Sequence, residues 1–120
     1  MDDLDTESFC YVTTVGRVTG RPHTIEIWYS SRGSTVYLLA GGRERSDWVR
    51  NIARHPQVRL RVADRILSGR GRRVADRHED RLARALVYAK YQPGYGGDLS
   101  GWRDSALPIA IDVDDTQPAR

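Results

Sequence analysis

The chain has 120 residues, enough for one hydrophobic core and too few for two, so a single domain spanning 1–120 is expected. Its 19 basic and 16 acidic residues leave a formal charge of +3, and all the basic residues except Lys90 are arginine, a choice that suits a phosphate or carboxylate ligand and that genome base composition explains equally well. One cysteine, Cys10, excludes an intramolecular disulfide and a cysteine metal cluster, and no apolar run approaches the ~20 residues of a membrane span.

In chain order, Met1 to Glu7 is acidic, reads as no export signal and is expected to be loosely held, which points to a soluble, cytoplasmic protein. Phe9 to Thr14 reads as a first strand, with Cys10 packed among Phe9, Tyr11 and Val12. His23 to Tyr29 alternates as a second strand, with His23, Ile25, Ile27 and Tyr29 on one face. Residues 30–34 read as a hairpin loop, and Thr35 to Ala40 as a third strand stopped by Gly41 and Gly42. Ser46 is a helix N-cap with Asp47 at the positive end of the dipole, and His55-Pro56 ends that helix. Val58 to Val62 is a fourth strand with one wet face, and Ile66 to Val74 a fifth in which Gly69 and Gly71 predict a bulge or bend. Asp76-x-x-Glu79 opens a second helix, whose Leu82, Ala85, Leu86 and Ala89 are the expected apolar stripe. Leu107 to Val113 is the last strand, and residues from 114 onward are expected to be loose. The sum is mainly β within the α+β class: an antiparallel barrel of six strands with two or three helices outside it.

Histidines 23, 55 and 78 have no metal-ligand spacing, so no metal site is expected, and no Gly-x-Ser-x-Gly elbow supports a hydrolase. Chemistry must then come from a bound cofactor that the protein positions. The best candidate for holding an anion is the turn Thr13 to His23, where Gly16 and Gly20 would let backbone N–H groups converge while Arg17, Thr19 and Arg21 add side-chain donors.

The Thr-Thr-x-Gly-Arg-x-Thr-Gly-x-Pro turn and the Ser-Asp-Trp-x-x-Asn helix start, with the intervening Ile25–Tyr29 and Val36–Gly42 segments, resemble the deazaflavin (F420)-dependent nitroreductase family over about residues 11–113. The resemblance implies a split β-barrel, FMN-binding-like, and coenzyme F420 as the cofactor. Its phosphate and glutamate-bearing tail would lie at Arg17, Val18, Thr19, Gly20, Arg21 and Pro22. Val18 stands where relatives commonly carry a second basic residue, which Arg21 or Arg45 would compensate. The ring would lie across Glu26, Ile27 and Trp28, with Leu39, Ala40, Gly41 and Gly42 approaching its edge and Ser46, Asp47, Trp48 and Asn51 at the helix N-terminus. Tyr88, Tyr91 and Tyr95 would line the substrate side, and Tyr88 and Tyr91 would be the catalytic pair. The function implied is an oxidoreductase passing hydride from reduced F420 to a small electron-poor acceptor such as a quinone, enone or nitroaromatic.

Two alternatives stay open. One is an FMN-dependent split-barrel oxidoreductase, and the other a non-catalytic protein that carries a deazaflavin, flavin or tetrapyrrole. An arginine stripe over Arg59, Arg61, Arg65, Arg70, Arg72 and Arg73 suggests nucleic acid, but no aromatic residue interleaves it, so nucleic acid is disfavoured. A barrel this small has limited wall for an apolar ring, which predicts a homodimer.

Overall fold

The computed structural model describes residues 4–115. Seven antiparallel strands form one sheet: β1 (Cys10–Val15), β2 (Pro22–Ile27), β3 (Ser30–Arg32), β4 (Thr35–Ala40), β5 (Gln57–Val62), β6 (Arg65–Arg73) and β7 (Leu107–Asp115). Three helices accompany them, α1 (Asp47–Arg54), α2 (Arg77–Tyr91) and α3 (Ser100–Ser105). The strand order is β2-β1-β5-β6-β7-β4-β3, so β2 and β3 are the two edges although they are neighbours in sequence. Only Trp28 and Tyr29 join them, a link reaching at most about 11 Å, so the sheet must curl until its edges nearly meet there. Away from that point the edges stay apart, which makes the barrel a split one.

The extra strand is β3, which sequence reading placed in a loop because Ser-Ser-Arg is polar throughout. Pairing decides otherwise. Ser30 lies opposite Tyr37 and Arg32 opposite Thr35, leaving Gly33 (φ +59) and Ser34 as the turn. Ser30 is buried and its hydroxyl donates to Asp5 Oδ2 at 2.7 Å. The N-terminal segment, expected to be loose, is therefore fastened from its first described residue: Leu4 is buried and its carbonyl accepts from the Tyr29 hydroxyl at 2.6 Å. At the other end β7 runs two residues beyond the expected Val113.

Inside the curl, Val12, Val36, Leu38, Leu60, Leu67 and Ile111 make the main core, and α1 plugs it at Val49 and Ile52. A second core lies outside, where Ala83 and Val87 of α2 and Ala106, the C-cap of α3, pack against Tyr37, Leu39 and Ala110. The buried stripe of α2 thus centres on Ala83 and Val87 with Leu82 and Leu86 flanking, whereas Ala85 and Ala89, read from sequence as inward, are exposed. Alanine is too small to decide a helix face by itself. The expected irregularity in β6 is present as a register shift between Ser68 and Gly69. A Cβ at Gly69 would stand 2.6 Å from the Asp112 carbonyl oxygen, so this glycine lets β7 come close.

Asp76 caps α2 as its sequence suggests, accepting from Glu79 N–H at 2.8 Å. The Glu79 side chain instead turns to Arg72 (2.7 Å) and to the Tyr37 hydroxyl (2.8 Å), and Arg72 also reaches Asp112 at 2.6 Å. The Arg72 hydrogen bonds, assisted by that of Tyr37, hold the Glu79 carboxyl down at about 2 from an ordinary 4.5. A carboxyl lowered on folding stabilises the protein above its unfolded value, and that stability is lost as pH falls through the folded one. Wild type should therefore lose stability between about pH 4.5 and pH 2, read as a falling urea midpoint, and Glu79→Gln should flatten that slope. An unchanged slope in the variant would remove Glu79 from the acid response.

Candidate functional site

The turn between β1 and β2 closes on itself first. Gly16 N–H donates to the Arg21 carbonyl (2.7 Å), Gly20 N–H to the Gly16 carbonyl (2.9 Å) and Arg21 N–H to Thr19 Oγ1 (3.2 Å). Only Gly20 takes a left-handed φ, +75. Gly16 serves a different need, because a Cβ there would meet the His23 ring at 2.9 Å. The convergent backbone donors expected of this turn are thus mostly spent within it, and the charge it can offer falls to its side chains.

Arg17 is fixed by α1. Its backbone N–H and Nη1 both donate to Asn51 Oδ1, at 3.1 and 2.9 Å, and Nη2 donates to Asp47 Oδ1 at 3.1 Å. Asn51 is buried and uses its amide on Thr14 Oγ1 at 3.0 Å, so one side chain ties β1, the turn and the helix together. The result is a pocket of about 360 Å³ lined by Arg17, Val18 and Thr19, by His23, Thr24 and Ile25 of β2, and by Asp47, Trp48 and Asn51. Six of the expected cofactor residues meet here. His23 joins them unexpectedly, brought in by its contact with Gly16. Gly20, Arg21, Pro22 and Arg45 are exposed and do not line this pocket. Ser46 occupies the N-cap position of α1 without a capping side-chain bond, and its Oγ would lie 2.7 Å from a Cβ on Gly42.

A second pocket, of about 430 Å³, lies at the closed end of the barrel and is lined by Asp5 to Ser8, Trp28, Lys90, Tyr91, Gly94 and Tyr95. Trp28 is stacked on Tyr91 with ring centroids 4.3 Å apart and meets Tyr95 and Trp102 edge-on, at 6.0 and 5.9 Å. Trp102, from α3, was not singled out in the sequence. It also stands beside Gly41, where a Cβ would be 3.5 Å from its indole nitrogen, and so links the β4 end to Trp28.

The expected catalytic pair is divided. Tyr88 faces α3, with the Arg103 guanidinium 4.4 Å from its ring centroid. The Tyr91 hydroxyl accepts from Tyr29 N–H (3.0 Å) and lies 2.6 Å from the Ser8 carbonyl, and burial pushes its ionisation up to about 12. That hydroxyl closes the barrel. Tyr91→Phe should cost about 1–3 kcal/mol by stranding the half-buried Tyr29 N–H, whereas Tyr88→Phe should shift a denaturation midpoint by less than about 0.5 kcal/mol. Equal losses in the two would contradict this division.

Between the pockets runs the split. Ile25, Ile27 and Trp48 are only partly buried there, packed on the core from the edge. Glu26 points to the outer face, where it accepts from the Tyr11 hydroxyl at 3.2 Å, and it lines neither pocket. Leu39 and Ala40 are also withdrawn as side chains, Leu39 under α2 and Ala40 in the barrel core. Their backbone is another matter. The β3 ladder ends at the Ser30–Tyr37 pair, so among the described residues Leu38, Leu39 and Ala40 have no strand partner on the side facing the split.

Elsewhere, Cys10 is buried, and that burial pushes its thiol up to about 12, which marks it as a packing residue. Arg72 and Arg73 of the arginine stripe are paired with carboxylates, and Arg61 lies over the Tyr11 ring at 4.3 Å. Among the described residues no group of histidine, cysteine and acidic side chains could hold a metal ion, and no helix is long and apolar enough to cross a membrane.

A family described as F420H(2)-dependent quinone reductase matches residues 3–114. Among solved structures, an F420-H2 dependent reductase superposes with a TM-score of 0.71 at 15% identity, covering 92% of this chain and 98% of that one. A FAD-binding protein from Mesorhizobium loti gives 0.67 at 14% identity over 93% and 85% of the two chains. A structure described as a domain-swapped dimer gives 0.71 at 16% identity over 89% and 81%. At these identities the likenesses establish the shared split-barrel fold.

Proposed function

Because the chain belongs to the F420-dependent quinone reductase family and is thereby a deazaflavin-dependent oxidoreductase, we propose that its split barrel reduces a planar electron-poor acceptor, of which quinones are the first class to test. The observation that carries this reading is the arrangement along β2. An arginine pocket opens at Ile25 and an aromatic pocket at Trp28, about 10 Å further along the strand, with a half-buried apolar wall between them.

The residues fit a deazaflavin. Arg17 would hold the phosphate, held ready by Asn51 and by the N-terminal end of α1. Ile25, Ile27 and Trp48 would cover one side of the ring, and the unpartnered β4 edge from Leu38 to Ala40 offers backbone groups to its polar rim. When bound, reduced F420 supplies a hydride equivalent. The chain's task is to hold the acceptor beside it and exclude water, which the Trp28–Tyr91 stack does as a flat floor. Tyr95, 47% exposed on the loop after α2, makes no side-chain hydrogen bond among the described residues, and its hydroxyl would donate to the acceptor oxygen. Tyr91 then contributes its ring, and Tyr88 stands aside.

We extend the proposal to assembly as a homodimer. The helices cover only the β4–β7 side of the outer sheet face, and Phe9 (40% exposed) and Ile66 (50%) lie on the bare side. Sedimentation equilibrium should show a dimer that Ile66→Glu dissociates, and a monomer with full cofactor affinity would contradict it. The cofactor itself is tested by titration with F420, FMN and FAD, followed by the quenching of tryptophan fluorescence. Saturable F420 binding with weaker FMN is expected, and FMN alone binding would favour the flavin alternative.

A further inference from the structure

The pocket at Arg17 is not simply positive. Arg17 is the one guanidinium lining it, and Asp47 lines it too, with its carboxylate 3.1 Å from Nη2. The Asp47 side chain is 83% exposed against 30% for Arg17, so the carboxylate stands at the outer side of the cation, where a ligand phosphate must arrive. Asp47 is also the first residue of α1, and its charge offsets the positive end of that helix.

We infer that Asp47 is a counter-charge that makes this pocket select a monoanionic phosphodiester over a dianionic phosphomonoester. The inference rests on the reading above for which cofactor is natural, but the charge rule concerns the pocket alone. The phosphate of F420 is a diester and carries one negative charge, whereas that of FMN is a terminal monoester with a charge of about −1.5 to −2. Attraction to Arg17 and repulsion by Asp47 both scale with the ligand's charge. A pocket with an arginine alone rewards the second negative charge. One in which a carboxylate stands beside the arginine does not, and the dianion still loses its heavier hydration on entry.

Asp47 is well placed for this role, which it combines with holding the Arg17 guanidinium, a hydrogen bond that an amide at this position could still accept. Its side chain is mostly exposed, its one charged partner is Arg17 and no other acidic residue lines the pocket. It works by repulsion, so its removal should tighten binding, the opposite of what removal of a cofactor ligand does.

The experiment compares wild type with Asp47→Asn and Asp47→Ser in equilibrium titrations of FMN and of its phosphate methyl ester, which differ in the charge of the phosphate alone, at about pH 8, where the monoester is fully ionised, with F420 titrated alongside. Because the gain in free energy is proportional to the phosphate charge beside Asp47, Asp47→Asn should tighten FMN about tenfold and its methyl ester only about threefold, and added salt should shrink both gains. The serine variant should reproduce the order, since it also removes the charge. Equal gains for FMN and its methyl ester, or no gain for FMN, would overturn the charge rule. Wild type that binds no F420, alongside a gain for FMN in both variants, would overturn the cofactor reading and leave the charge rule standing.

Discussion

Arg17→Ala should weaken F420 binding about ten- to a hundredfold, since a charge-assisted contact to phosphate contributes about 1.5–3 kcal/mol. Arg17 is held in place before any ligand arrives, by Asn51 at 2.9 Å and Asp47 at 3.1 Å, so little ordering remains to be done on binding. Raised salt should weaken wild-type binding in the same direction and affect the variant less. The fold should survive, because the ion pair that is lost is exposed on the Asp47 side and such pairs contribute about 1 kcal/mol or less. Isothermal titration at low salt reads the effect, and unchanged affinity would take the turn out of the binding site.

The second large effect is expected at Asn51. Its side chain accepts two hydrogen bonds from Arg17 and donates one to Thr14, all around a residue only 3% exposed. Asn51→Ala leaves the part-buried Arg17 N–H and the buried Thr14 hydroxyl without those partners, a cost of about 1–3 kcal/mol for each buried group left unsatisfied. It also frees Arg17 to leave the pocket, so F420 affinity should fall together with the urea midpoint. Asn51→Asp separates the two roles. The carboxylate retains both acceptor bonds but gives up the donor to Thr14 and adds a second negative charge, so binding should fall further than stability. A variant that keeps full affinity would show that Asn51 does not position Arg17.

The sequence already carried most of the strands, because alternation at Val58–Val62 leaves little choice of face and the apolar run Val36–Ala40 marks a strand buried on both faces. It also carried the pocket at Arg17, since Gly-Arg-x-Thr-Gly and Ser-Asp-Trp-x-x-Asn are short motifs whose residues do meet. Three things needed the third dimension. β3 is a strand only because its partner β4 and Asp5 are beside it. The separation of Tyr88 from Tyr91 depends on α3 arriving against one flank of α2, which periodicity within α2 cannot report. Trp102 lies on a six-residue helix with no pattern to single it out, yet it joins Trp28 to Gly41. His23 could have been found from the alternation of β2, which puts it on the same face as Ile25.

The most direct test of the account is a single turnover. The protein loaded with reduced F420 is mixed anaerobically with a water-soluble quinone, and the return of the oxidised deazaflavin absorbance is followed. The account predicts a quinone-dependent, saturable oxidation faster than that of free reduced F420, slowed by Tyr95→Phe and little changed by Tyr88→Phe. Tight binding of reduced F420 with no acceleration by any quinone, enone or nitroaromatic would contradict it and make the protein a carrier.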